Sequence, residues 1–80
     1  MEKEQVMRQI SQELDWACNH FFAMKSPHEG LAIIREEYLE LEAEVFKQHH
    51  KRDNFRMAEE ARQLAAMAAR FMLDLIEKTD

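Results

Sequence analysis

Five glutamates, Glu36, Glu37, Glu40, Glu42 and Glu44, fall within nine positions of the stretch SPHEGLAIIREEYLELEAEV, residues 26 to 45. Few basic side chains stand near enough to offset them. Like charges three or four apart on a helix repel by roughly a few tenths of a kcal/mol per pair. Several converging carboxylates suit a hard divalent cation such as Mg²⁺, which takes oxygen ligands and often bridges to the phosphates of a substrate. On charge pattern alone, a solvated acidic face is the simpler reading. Glu60 weighs against it, because it interrupts an otherwise apolar row of Met57, Leu64, Met67 and Phe71. A carboxylate inside a packed seam costs several kcal/mol or stays protonated unless a cation meets it. That cation is either a basic side chain or a metal ion.

The elements that carry these residues read as helices. Gly and Pro occur once each, at Gly30 and Pro27, which leaves long uninterrupted segments on either side. Apolar stripes run Met7, Ile10, Leu14, Ala17, Phe21, Met24; then Leu31, Ile34, Tyr38, Leu41, Val45; then Ala58, Ala61, Ala65, Ala68, Met72, Leu75. Steps of three and four are helical spacing, not strand alternation. The pattern predicts an all-α fold of three helices, near residues 2–24, 27–50 and 54–78. Ser26 with Glu29 forms a capping box, and Pro27 takes the first helical position. Asp53 is placed to cap the third helix. A linker of roughly four residues between the second and third helices favours an antiparallel hairpin.

A chain of 80 residues forms one domain, 1–80, with no internal repeats. A domain this small buries only about 60% of its unfolded surface. Composition is 46% apolar and 34% charged, too apolar for disorder and too interrupted by charge for a membrane span. The net charge of -5 argues against a nucleic acid partner. A single cysteine, Cys18, excludes an internal disulfide and a cysteine-rich zinc site. The polar start MEKEQVMRQI is unlike a secretory or transit peptide, so a cytoplasmic protein without a membrane partner is expected.

A second row flanks the stripe on two of the helices. On the second helix it runs Ile33, Glu37, Glu40, Glu44, Lys47, and on the third Met57, Glu60, Leu64, Met67, Phe71. A helix apolar on two sides cannot bury both within a three-helix monomer. A homo-oligomer is therefore expected, most simply a two-fold dimer, with Glu60 inside the seam. Trp16 and His20, one turn apart, can stack on and hydrogen-bond a base; core or interface packing is the alternative. Lys47 extends the acidic row and can meet a phosphate, or serve only as a surface lysine. His49 and His50 point about 100° apart on a helix and make a poor chelating pair, so they read as solvated turn residues. Cys18 reads as a small buried filler. No Glu-x-x-His occurs, which argues against a ferritin-like di-iron bundle.

The pattern Glu36-Glu37-x-x-Glu40, nineteen residues, then Glu60-x-x-Gln63 resembles the MazG-type, all-α nucleoside triphosphate pyrophosphohydrolases, whose motif is EExxE, a spacer, then ExxD. SPHEG opening the motif helix, and EEARQLAAMAARFMLDL in the helix after it, look like the small phage and bacterial branch of that superfamily. The resemblance covers roughly residues 20 to 76. It implies a helical hairpin pairing with a second subunit into a four-helix-bundle core, with Mg²⁺ between the motif helices and a substrate triphosphate. Water would attack the α-phosphorus, giving a nucleoside monophosphate and pyrophosphate. Glu37, Glu40 and Glu60 match metal ligands by this resemblance, and Glu36 matches the leading glutamate, a catalytic or supporting group. Gln63 stands where the motif has aspartate. That removes one negative ligand, though an amide oxygen still coordinates more weakly. Mg²⁺, with Mn²⁺ as a substitute, a nucleotide substrate and a second copy of the chain are the implied partners. A non-catalytic helical binding or regulatory module that keeps this fold is the alternative function.

Overall fold

A computed structural model describes residues 1–76 and is all-α. Helix α1 spans Lys3–His20, α2 spans Pro27–Val45 and α3 spans Asn54–Leu75, with a short 3₁₀ turn at His49–Lys51. Among the described residues no helix is long and apolar enough to cross a membrane.

Local chemistry sets the helix starts as expected. Ser26 Oγ accepts from the Glu29 N–H at 3.1 Å, with Pro27 in the first turn. Glu29 reaches back to accept from the Lys25 N–H at 2.6 Å. Asp53 Oδ1 accepts from the N–H groups of Phe55 and Arg56 at 2.9 and 3.4 Å, which caps α3.

The helix ends differ from expectation, and tertiary contacts explain why. α1 stops at His20 rather than 24, because its last carbonyls are taken by a distant side chain. Arg70 donates to the carbonyls of Ala17 and Phe21 at 2.7 and 2.9 Å, while Asp74 accepts from the Met24 N–H at 2.9 Å. The backbone is extended at Phe21 as a result. α2 stops at Val45 rather than 50, where Arg52 donates to the Val45 carbonyl at 2.8 Å. His49 and His50 then lie exposed on the turn, as expected. Residues 77 and 78, at the expected end of the third helix, lie outside the described residues.

α3 is the central helix. It packs against α2 on one side and α1 on the other, while α1 and α2 do not pack on each other. The α2–α3 hairpin is antiparallel: Gly30 at the start of α2 faces Phe71 and Leu75, and Glu44 near its end faces Arg56. A Cβ at Gly30 would sit 2.7 Å from the Phe71 ring and 3.0 Å from the Met24 sulfur, so a larger residue there would have to displace these side chains. α1 runs parallel to α3, with Arg62 against Gln9 and Glu13, and Arg70 against Ala17.

This arrangement reverses the expected faces of α3. The row of Met57, Glu60, Leu64, Met67 and Phe71 is half-buried within the chain itself. Of the alanine stripe expected in the core, Ala61, Ala68 and Met72 are exposed. Leu31 and Tyr38 on α2 are likewise exposed. The reason is a third row, Arg62, Ala66 and Arg70, which α1 covers; Ala66 at 0% exposure packs against the α1 side. Cys18 is exposed rather than a filler, because its neighbour Ala17 takes the inward position. Among the described residues the buried apolar side chains are only Ala17, Met24 and Ala66, so much of the large apolar surface remains in solvent.

Candidate functional site

α2 and α3 bring the expected carboxylates together. One oxygen each from Glu37, Glu40 and Glu60 lies within 4.8 Å of the others. Glu37 and Glu60 are half-buried and Glu40 is exposed at the edge. The Oε1 atoms of Glu37 and Glu60 are buried and have no hydrogen-bond partner. Buried acceptors in that condition cost free energy unless something donates to them or coordinates them.

The electrostatics match the crowding. Burial is the main cause that pushes the Glu37 carboxyl up to about 7, followed by the charges of Glu40, Glu60, Glu36 and Glu13. Glu60 is also raised, first by burial, then by a proton shared with Glu40 and by the charges of Glu40, Glu59 and Glu44. Among the described residues no basic side chain pairs with any of the three.

The neighbouring cations are committed elsewhere. Lys47 donates to Glu44 at 2.8 Å, and Arg56 stands 3.7 Å from the same carboxylate. The Lys47 hydrogen bond holds the Glu44 carboxyl below its ordinary value. Arg62 pairs with Glu13 at 3.5 Å, and Arg70 with Asp74 at 2.9 Å.

Because the backbones of α1 and α2 flank α3 without packing on each other, clefts open between them. Trp16 and Phe21 of the α1 side, Glu37 of α2 and Gln63 and Met67 of α3 line one of about 180 Å³. Gln63 therefore opens on the same space as Glu37. Trp16 is 49% exposed there, not a core residue. It stacks on His20 with centroids 4.2 Å apart, and the His20 ring nitrogen Nδ1 lies 2.7 Å from the Trp16 carbonyl. Glu36 stays outside the cluster of three, exposed, and lines a second cleft of about 280 Å³ beside Glu37. Lys47 is turned to Glu44 and away from the cluster's chemistry.

Sequence reading missed the Arg70–Asp74 pair that joins α1 to α3. Its signal was present: an arginine and an aspartate four apart, both within a helix rich in alanine and apolar side chains.

Three carboxylates, two of them with a buried oxygen that lacks a hydrogen bond, fit a hard divalent cation. The three ligand atoms, within 4.8 Å of one another, would have to draw closer together to share one such ion. The donor chemistry is all oxygen, which suits Mg²⁺ or Mn²⁺ over softer metals. Comparisons with protein-family models, curated proteins and solved structures find no match for this chain.

Proposed function

We propose that this chain is a Mg²⁺-dependent nucleoside triphosphate pyrophosphohydrolase of the MazG-like type, acting as a homo-oligomer. The observation that carries the reading is the pair of buried, unpartnered oxygens, Glu37 Oε1 and Glu60 Oε1, beside Glu40. Repulsion this concentrated, with the local cations bound to Glu44, Glu13 and Asp74, is relieved by a divalent ion.

Glu37 and Glu40 from α2 and Glu60 from α3 would hold the ion, with the Gln63 amide oxygen next along α3. Mg²⁺ bound there supplies charge neutralisation for the phosphates and lowers the pKa of a bound water. Phe21 and Met67 wall the adjoining clefts and limit water around the phosphates. Trp16 adds an aromatic wall on the α1 side. Cleavage between the α- and β-phosphates would leave a monophosphate and pyrophosphate.

Exposed apolar residues support the oligomer. Leu31 and Tyr38 on α2, with Ala61, Ala68 and Met72 on α3, offer a surface on which a second hairpin would complete a four-helix core. Light scattering at micromolar concentration should find a dimer, and Met72→Glu should shift it toward monomer. A compact monomer in the wild type would remove this part of the proposal.

Incubation with a panel of nucleoside triphosphates and Mg²⁺ tests the activity itself. Equal yields of monophosphate and pyrophosphate are expected, and orthophosphate release would mean that a different bond is cut. A second reading, a helical binding module without efficient chemistry, is favoured by Gln63 in place of a fourth carboxylate. Metal-dependent nucleotide binding without turnover would select it.

A further inference from the structure

The two clefts beside the carboxylate cluster share Phe21, Glu37 and Met67 as a common wall. They differ in what they can hold. The smaller has its aromatic surface already engaged: Trp16 stacks on His20 and meets Phe21 edge-on at 5.5 Å. Its outer carboxylate, Glu13, is paired with Arg62.

The larger cleft, about 280 Å³, is walled by Phe21, Phe22, Met24, Ile33 and Met67. Phe22 is 94% exposed, so its ring is open to cover whatever enters. Three polar side chains reach this space. Arg70 is 5% exposed and gives one N–H each to Asp74, the Ala17 carbonyl and the Phe21 carbonyl. Glu37 belongs to the carboxylate cluster. Glu36 is left as the open polar group, a carboxylate with no hydrogen bond or ion pair among the described residues.

An ionised carboxylate only accepts hydrogen bonds. A ribose or a peptide would bring donors and acceptors on several sides into walls that satisfy neither. A flat group with apolar faces and donors along one edge fits. Guanine presents N1–H and the N2 amino group side by side, matching both oxygens of one carboxylate. Adenine and cytosine present one amino group. Uracil and thymine flank their N3–H with carbonyl oxygens, which repel a carboxylate.

We propose that the larger cleft is a nucleobase slot in which Glu36 reads the amino-bearing edge, favouring guanine nucleotides over uracil nucleotides. The assignment rests on the nucleotide reading above. It gives Glu36 the role of selecting the base in place of the catalytic role that the MazG resemblance implies.

The test titrates GMP and UMP into the full chain, once with Mn²⁺ and once with EDTA, and follows the fluorescence of the single tryptophan, Trp16. Mn²⁺ binding is measured separately by calorimetry. GMP should bind roughly tenfold more tightly than UMP, the size expected for one bidentate base contact. Glu36→Gln should bring the ratio close to one while Mn²⁺ still binds. Phe22→Ala should weaken both nucleotides equally. Equal affinity of GMP and UMP in the wild type, or an unchanged ratio in Glu36→Gln, overturns the slot even if Mn²⁺ binds normally. Failure of Mn²⁺ to bind, with the GMP preference intact in EDTA, would overturn the metal reading and leave the slot standing.

Discussion

Glu44 and Glu37 sit seven residues apart on one face of α2, and the chain treats them in opposite ways. Glu44 is the more buried, yet Lys47 and Arg56 compensate it. Glu37 is half-buried beside Glu40 and Glu60, with a buried oxygen that no donor reaches. Burial therefore does not by itself mark a site in this helix. The distinguishing feature is whether the fold supplies its own counter-charge. At the turn end of the hairpin it does, and midway along it does not.

Metal gives the largest expected contrast. Mn²⁺ at about a hundred times its Kd should stabilise the fold by ~2.7 kcal/mol through mass action. Glu44→Gln should keep this response and Glu60→Gln should lose it, as read by calorimetric unfolding. NaCl at matched ionic strength serves as the control. An equal effect of NaCl would mean screening of a diffuse acidic surface.

Proton linkage should separate the two ends by sign. The folded chain holds the Glu37 proton more tightly than the unfolded chain does. Its contribution to stability is thus present below a pH of about 4.5 and is lost as the pH rises through about 7. After discounting for solvent screening, the loss is ~1–2 kcal/mol. The Glu44 carboxyl is lowered, so its contribution is present above its ordinary value and is lost as pH falls through the lowered one. Metal-free urea titrations across pH should show Glu37→Gln flattening the upper slope. Glu44→Gln should flatten only the acid limb. Identical profiles would erase the distinction.

The smallest expected effect sharpens the site's edge. Gln63→Asp adds a carboxylate one turn along α3 from Glu60. Without metal it should destabilise by about 0.5–1 kcal/mol, and with Mn²⁺ the sign should reverse. The same metal response in parent and variant would place position 63 outside any ion site.

What could be read from sequence follows the range of the interactions involved. The starts of α2 and α3 were legible because Ser26, Pro27, Glu29 and Asp53 act within a turn of themselves. The end of α1 was not, because Arg70 and Asp74 set it from about fifty residues away. Helical period was visible throughout, and so was the Glu37, Glu40 and Glu60 grouping, since the antiparallel hairpin fixes which α3 residue meets the row. The inward face of α3 was misjudged. The sequence shows two apolar rows, Ala58 to Leu75 and Met57 to Phe71, and a helix covered on two sides takes its second contact from a third, Arg62, Ala66 and Arg70. Periodicity alone does not choose among rows when a helix has two neighbours.

The central place of α3 also dictates an order of events during synthesis. α1 leaves the ribosome first, but Arg70, which holds its Ala17 carbonyl, is translated 53 residues later. An isolated helix of 18 residues is marginal in water. α2 follows and offers α1 no surface, since the two do not pack together. The nascent chain must therefore carry α1 as an unfinished segment until most of α3 has emerged. Of these three helices, the one made last is the one on which both others depend.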